Sequence, residues 1–217
     1  MKKIYFWIAL IGFTLVISSC AKKEESDDSA TDDSSDTNSC ATDTTASGSI
    51  TVGSETLSGI YISECSTWYA AFAGQGWFPS DTKSGKEAIV VTGDSAISQE
   101  FFLYTDSSCS TPSMYLKNGH TSVTIGDASG SNYKVTFNDA TLKIKVSTTV
   151  AENHIETVYS SLGWDLTVGS EISITNSSND SYMNVFHVTS TTIKTGAKDK
   201  NTQPTELQSY VMTKSCQ

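Results

Sequence analysis

"TLKIKVST", residues 141–148, decides the fold class of this chain. Leu142, Ile144 and Val146 share one face of an extended segment, and Thr141, Lys143, Lys145 and Ser147 share the other, because side chains alternate along a strand. Runs of alternating or β-branched character recur on both sides of it: 57–63, 87–92, 97–105, 113–117, 121–125, 133–138, 171–175, 182–189 and 207–213. Turn signals separate them at Gly93-Asp94, Asn118-Gly119, "GDASGSN" (126–132) and Asn138-Asp139, and Asn-Gly between two strand patterns is the strongest short cue for a hairpin.

One segment has a different period. In "VAENHIETVYSSLGW" the apolar residues Val150 or Ala151, Ile155, Val158 and Leu162 recur at helical spacing, and Gly163 fits a C-cap. The spacing predicts one short helix over 151–162. Hairpin-linked strands with so little helix suggest a meandering barrel or a two-sheet sandwich, and closure into a barrel removes exposed edges. The expected fold is therefore mainly β: an antiparallel, lipocalin-like meander barrel of about ten strands, formed by a single domain over 50–217.

The first residues set the compartment. Met1-Lys2-Lys3 precedes an apolar run from Ile4 to Ile17, and Ser18, Ser19 and Cys20 follow. A positive start, a short apolar stretch and small residues at the cut site describe a secretory leader, here over 1–19. The run would reach roughly 21 Å as a helix, short of the roughly 30 Å hydrocarbon core. Ile17-Ser18-Ser19-Cys20 resembles the lipobox of bacterial lipoproteins. That resemblance implies a diacylglyceryl and palmitate-type anchor on Cys20, which stable membrane attachment through several acyl chains requires. Ala21, where an Asp would favour inner-membrane retention, points to the outer membrane of a bacterial cell envelope.

From 20 to 49 the chain is Ser, Thr, Asp and Ala with little else, and Glu24, Glu25, Asp27, Asp28, Asp32, Asp33, Asp36 and Asp43 face only Lys22 and Lys23. Such a stretch has no apolar surface to offset ordering entropy and reads as an extended tether. The whole chain has a formal net charge of −10 and no arginine, which sets nucleic-acid binding aside.

With Cys20 lipidated, Cys40, Cys65, Cys109 and Cys216 remain, an even set in an exported chain, and three pairings are open. Strand direction chooses among them. If the first strand runs up, Cys65 lies at the top, and the next two strands return the chain to the top at Cys109. An even number of strands leaves Cys216 at the bottom beside Cys40. Disulfides Cys65–Cys109 and Cys40–Cys216 are expected. There is no C-x-x-C, and His120, His154 and His187 are scattered, so no metal or other cofactor is expected.

Tyr104-x-Asp106-x-x-Cys109-x-x-Pro112-x-x-Tyr115, followed by Gly119, resembles a signature of the adenomatosis-polyposis-coli down-regulated family of membrane-anchored Wnt inhibitors. "GIYISECS" (59–66), with Tyr61, Ser63 and Cys65, is similar to the start of that family's repeated domain. The resemblance covers fewer than thirty residues. It implies a lipocalin-like barrel with paired cysteines and a pocket for an acyl chain or other apolar ligand. The chain departs from the family in having no arginine, so the family's partner is not carried over.

No G-x-S-x-G, H-E-x-x-H, phosphate-binding or dinucleotide-binding motif occurs. Glu152-x-His154-x-Glu156 places its groups on different faces of the expected helix. A non-enzymatic role is expected. The unusual segment is "WYAAFAGQGWF" (68–78), too aromatic for an ordinary loop. Trp68, Trp77 and Phe78, with Trp164 after the helix, are the candidate ligand-binding residues at a barrel mouth. The alternative is a filled barrel that these rings plug, displaying loops to other envelope components.

Overall fold

The computed structural model describes residues 42, 44–176 and 180–216. The leader over 1–19, Cys20, the tether through residue 41 and Asp43 lie outside the described residues. So does Cys40, and only the backbone of Cys216 is described, which leaves the expected Cys40–Cys216 pair outside as well.

The strands are β1 (Ile50–Val52), β2 (Glu55–Leu57), β3 (Ile60–Ser63), β4 (Ser84–Gly93), β5 (Ala96–Tyr104), β6 (Pro112–Ser129), β7 (Asn132–Val146), β8 (Glu171–Thr175), β9 (Ser181–Val188), β10 (Thr192–Thr195) and β11 (Met212–Cys216). Two helices, α1 (Tyr69–Gly74) and α2 (Thr149–Val158), interrupt them. The chain is mainly β and antiparallel. β3, β4, β5, β6, β7, β9, β10 and β11 pair in that order, and β11 returns to β3, so the ring closes. Along one edge, β7 pairs with β9 through 133–138 and with β8 through 141–145. β8 and β9 thus form one interrupted stave.

Two expected turns are absent. β6 runs straight through Asn118-Gly119, paired with β5 on one side and β7 on the other, and β7 runs through Asn138-Asp139. Both sites are register shifts instead, between Gly119 and His120 on β6 opposite Thr141 and Asp139 on β7. A bulge adds one residue, bends the strand and re-aims the side chains beside it. The true hairpins lie at Asp94-Ser95 and at Gly130-Ser131, where Ser129 faces Asn132 and Gly130 takes φ 64°. The expected run 57–63 is broken by Gly59 at φ 85°, and the expected last strand over 207–213 is displaced to β11. β1 and β10 have no counterpart among the expected runs.

α2 forms where the period predicted it. Thr148 caps its start by accepting from the Ala151 amide at 3.1 Å, and after a 3-10 turn over Ser160–Leu162, Gly163 ends it at φ 64°. Ala151 and Ile155 pack down on Leu103, Met114, Ile144 and Val146, which closes the top of the barrel. The β1–β2 hairpin closes the bottom: Ile50, Val52 and Leu57 join Tyr61, Ile89, Val91, Phe137, Phe186 and Ile193 in a second cluster. Ahead of it, the Ser47 amide donates to the Val91 carbonyl at 2.9 Å, so the stretch read as tether already lies against the barrel before Ile50.

Candidate functional site

Between the two apolar clusters the barrel interior is polar. Glu87 lies on the same strand face as Ile89 and Val91 and is 1 % exposed. Its register partner Phe101 and the neighbouring Gln99 belong to β5, and Gln99 faces Asn118 on β6. Gln99 Nε2 donates to Glu87 Oε1 at 2.7 Å, and the Tyr210 hydroxyl contacts Glu87 Oε2. Tyr210 also contacts Gln208 Oε1. A phenol has one proton, so it cannot donate to both acceptors at once. A protonated Glu87 resolves the conflict by donating to Tyr210, which then donates to Gln208. Burial pushes the Glu87 carboxyl up to about 7, against the opposing hydrogen bonds of Tyr210 and Gln99. Burial, and after it the charge of Glu87, raises the Tyr210 phenol well above its ordinary value.

Above this carboxyl stands an aromatic roof. Trp68 meets Phe72 edge-on with ring centroids 4.3 Å apart, Phe72 lies 6.0 Å from Trp77 and 6.1 Å from Phe78, and Trp68 lies 6.0 Å from Tyr210. Offset and edge-on pairs of this kind contribute about 0.5–1.5 kcal/mol each beyond the area they bury. The roof is held at three points. The Cys65–Cys109 disulfide, with Cα atoms 5.9 Å apart, fixes its start to the β5–β6 turn. Ser66 and Gly85 exchange backbone hydrogen bonds at 2.9 Å, and Tyr69 packs on the bare backbone of Gly85. At the far end, Asp81 accepts from Ser113 and Thr148, both at 2.7 Å, and ties the segment to the start of α2.

Roof and polar belt line a partly open cavity of about 50 Å³. Trp68, Trp77 and Phe78 line it, with Phe72, Glu87 and Tyr210. Trp164, expected at the same mouth, stacks on Tyr159 at 4.8 Å and packs against the upper cluster instead. Glu87, Gln99 and Tyr210 were not singled out from the sequence. Strand parity carried a signal for the first two: Glu87 interrupts an inward-facing row that continues as Ile89 and Val91, and Gln99 lies between Ile97 and Phe101.

On the cavity's other side Lys198 donates to Asp139 Oδ2 at 2.8 Å and lies 4.6 Å from the Tyr182 ring centre. Asp139 Oδ1 is 2.8 Å from His120 Nδ1, an ion-pair distance without hydrogen-bond alignment. Burial holds the His120 imidazole below its usual value. Burial works to raise Asp139, but His120 and Lys198 outweigh it and hold the carboxyl low. Lys198 is thereby committed to Asp139. Among the described residues no group of three or more His, Cys, Asp or Glu side chains is placed to hold a metal ion. The chain matches no protein-family model and no curated protein.

Proposed function

We propose that this chain is a bacterial envelope lipoprotein, anchored in the outer membrane through acyl chains on Cys20, whose barrel holds a small, largely apolar ligand without acting as an enzyme. The leader, the lipobox-like Ile17-Ser18-Ser19-Cys20 and the acidic tether support the anchored half of this reading. One observation supports the binding half: Trp68, Trp77 and Phe78 share the wall of one cavity that reaches a buried polar belt. Ligand sites are characteristically apolar concavities with a few convergent polar groups. The cavity is open on one side and small, which favours a small molecule over a whole acyl lipid. The small volume also favours the second reading, a filled barrel displaying loops to other envelope components.

The lipidated full chain in lipid nanodiscs, titrated with 2-phenylethanol and with decanoic acid, separates the two. Saturable quenching or shift of tryptophan emission by either probe, lost in Trp77→Ala, is expected for a ligand-binding barrel. No saturable response to any small molecule would leave the filled barrel. Mass analysis of the N-terminal peptide checks the anchor, which requires the mature chain to begin at an acylated Cys20.

A further inference from the structure

Glu87 is a buried carboxyl with spare capacity. Each oxygen has one side-chain partner, Gln99 or Tyr210, whereas an ionised carboxylate has about four acceptor sites. It has no cationic partner among the described residues. The buried and half-buried lysines beside acids are spoken for: Lys143 holds Glu171, Lys198 holds Asp139 and Lys200 holds Asp180. Tyr210 spans the gap between roof and carboxyl, since its ring lies 6.0 Å from Trp68 while its hydroxyl touches Glu87. A molecule in the cavity therefore meets ring faces at one end and an unpaired carboxyl at the other.

Resting on the small-molecule reading of this cavity, we propose that its ligand is a small organic ammonium ion carrying an apolar or aromatic group, with the nitrogen on Glu87 and the hydrocarbon part under Trp68, Phe72 and Trp77. A cation is attracted both to ring faces and to the carboxylate, and the burial of Glu87 strengthens the second interaction. An anionic ligand would face the like charge of an ionised Glu87, and a neutral one would give that ionised form no counter-charge. The titratable and charged groups around Glu87 are Tyr69 from α1, Tyr210 from the segment before β11, and Lys198 across the cavity with Asp139 and His120 behind it. The lysine's charge is already neutralised by Asp139. The carboxyl near pH 7 is protonated when the cavity is empty in mildly acidic solution, so an ammonium ion entering there displaces that proton to solvent.

The test uses the lipidated full chain in nanodiscs with three probes of matched size: 2-phenylethylamine, 2-phenylethanol and phenylacetate. The amine is expected to bind about thirty-fold or more tightly than the alcohol at pH 8, the scale of one buried charge pairing, and phenylacetate more weakly than either. Amine affinity should rise about a hundred-fold from pH 5 to pH 8 as the carboxyl ionises, with close to one proton released per amine bound at pH 6. Glu87→Gln should erase both the preference and the pH slope. Should that variant not fold, the pH slope and proton release of the unaltered protein decide. Equal binding of amine and alcohol, or a flat pH profile, overturns the ammonium assignment and leaves the small-molecule reading standing. Binding of decanoic acid or the alcohol without the amine does the same. Silence from every probe overturns both.

Discussion

The ring of Tyr69 lies so close to Gly85 that a Cβ on the glycine would stand 2.7 Å from the ring's Cγ. Tyr69 is 4 % exposed, and through it α1 is seated on β4. Gly85 has no positive φ, so Ala is allowed by its backbone and the conflict lies wholly with the ring. Gly85→Ala is expected to cost about 1–3 kcal/mol, the usual scale of overpacking, and to displace α1 while leaving the β ring paired. Tryptophan emission from the roof should shift to the red with an unchanged far-ultraviolet spectrum. Unaltered emission would show that Tyr69 does not hold the roof down.

The Cys65–Cys109 bridge closes a loop with a sequence separation of 44. On the chain-entropy model, removing it with Cys65→Ser/Cys109→Ser is expected to lower stability by about 4 kcal/mol. Its turn is organised by Asp106, whose carboxylate accepts from the Ser108 and Ser110 amides and hydroxyls and from the Thr111 amide, while Cys109 takes φ 55°. These hydrogen bonds, led by that of Ser108, hold the carboxyl far below its ordinary value. The support is complete above the usual carboxylate range and is lost as pH falls through the strongly acid range. Asp106→Ala should therefore speed reduction of the bridge by dithiothreitol at neutral pH, and equal reduction rates would show that the turn holds itself.

The pairing of Cys65 with Cys109 was legible because it needs only β3, β4 and β5 to be counted correctly, and their runs are flanked by clear turns. The rest of the strand count came out even through compensating errors. Two long strands divide at false turns, the runs 171–175 and 182–189 are indeed two strands but run the same way along one stave, and β10 has no counterpart among the expected runs. The false turns have one physical origin. Asn118 lines the cavity and Asp139 holds Lys198, so each is polar because it belongs to the interior belt of the barrel. Local turn chemistry and a buried polar site use the same residue types, and only strands on both edges decide between them. The candidate site was thus partly disguised as loops. Tyr210, in turn, belongs to the run 207–213 that reads as a strand, but it lies ahead of β11 and reaches Glu87 across 123 positions of sequence.

Gly119 tests this account of β6. It faces Thr141 on β7, and a Cβ on Gly119 would meet Thr141 Oγ1 at 2.3 Å. A residue in a hairpin turn would tolerate Ala here according to its φ alone. In a paired strand interior the threonine decides, because its β-branched side chain has little freedom to turn away. Gly119→Ala is expected to lose about 1–2 kcal/mol, and Thr141→Ala in the same chain should restore most of it, giving a coupling of about 1 kcal/mol in a double-mutant cycle. Additive effects would separate the two residues.

Glu87 sets a pH dependence of stability that one substitution should remove. Its folded value of about 7 stands above the ordinary 4.5, so the folded state binds the proton more tightly than the unfolded chain does. The contribution is complete below about pH 4.5 and is lost as pH rises through 7, a difference of roughly 3 kcal/mol. Glu87→Gln mimics the protonated acid: its oxygen still accepts from Gln99, its amide donates to Tyr210, and Tyr210 is then free to donate to Gln208. In urea unfolding the variant is expected to match the native chain near pH 4.5 and to exceed it by about 2–3 kcal/mol at pH 8, with the same m-value. A shared amide network and no ionisable group leave it nothing to lose between those two pH values. Parallel curves across the range would mean that the buried acid is neutralised by a partner other than its own proton.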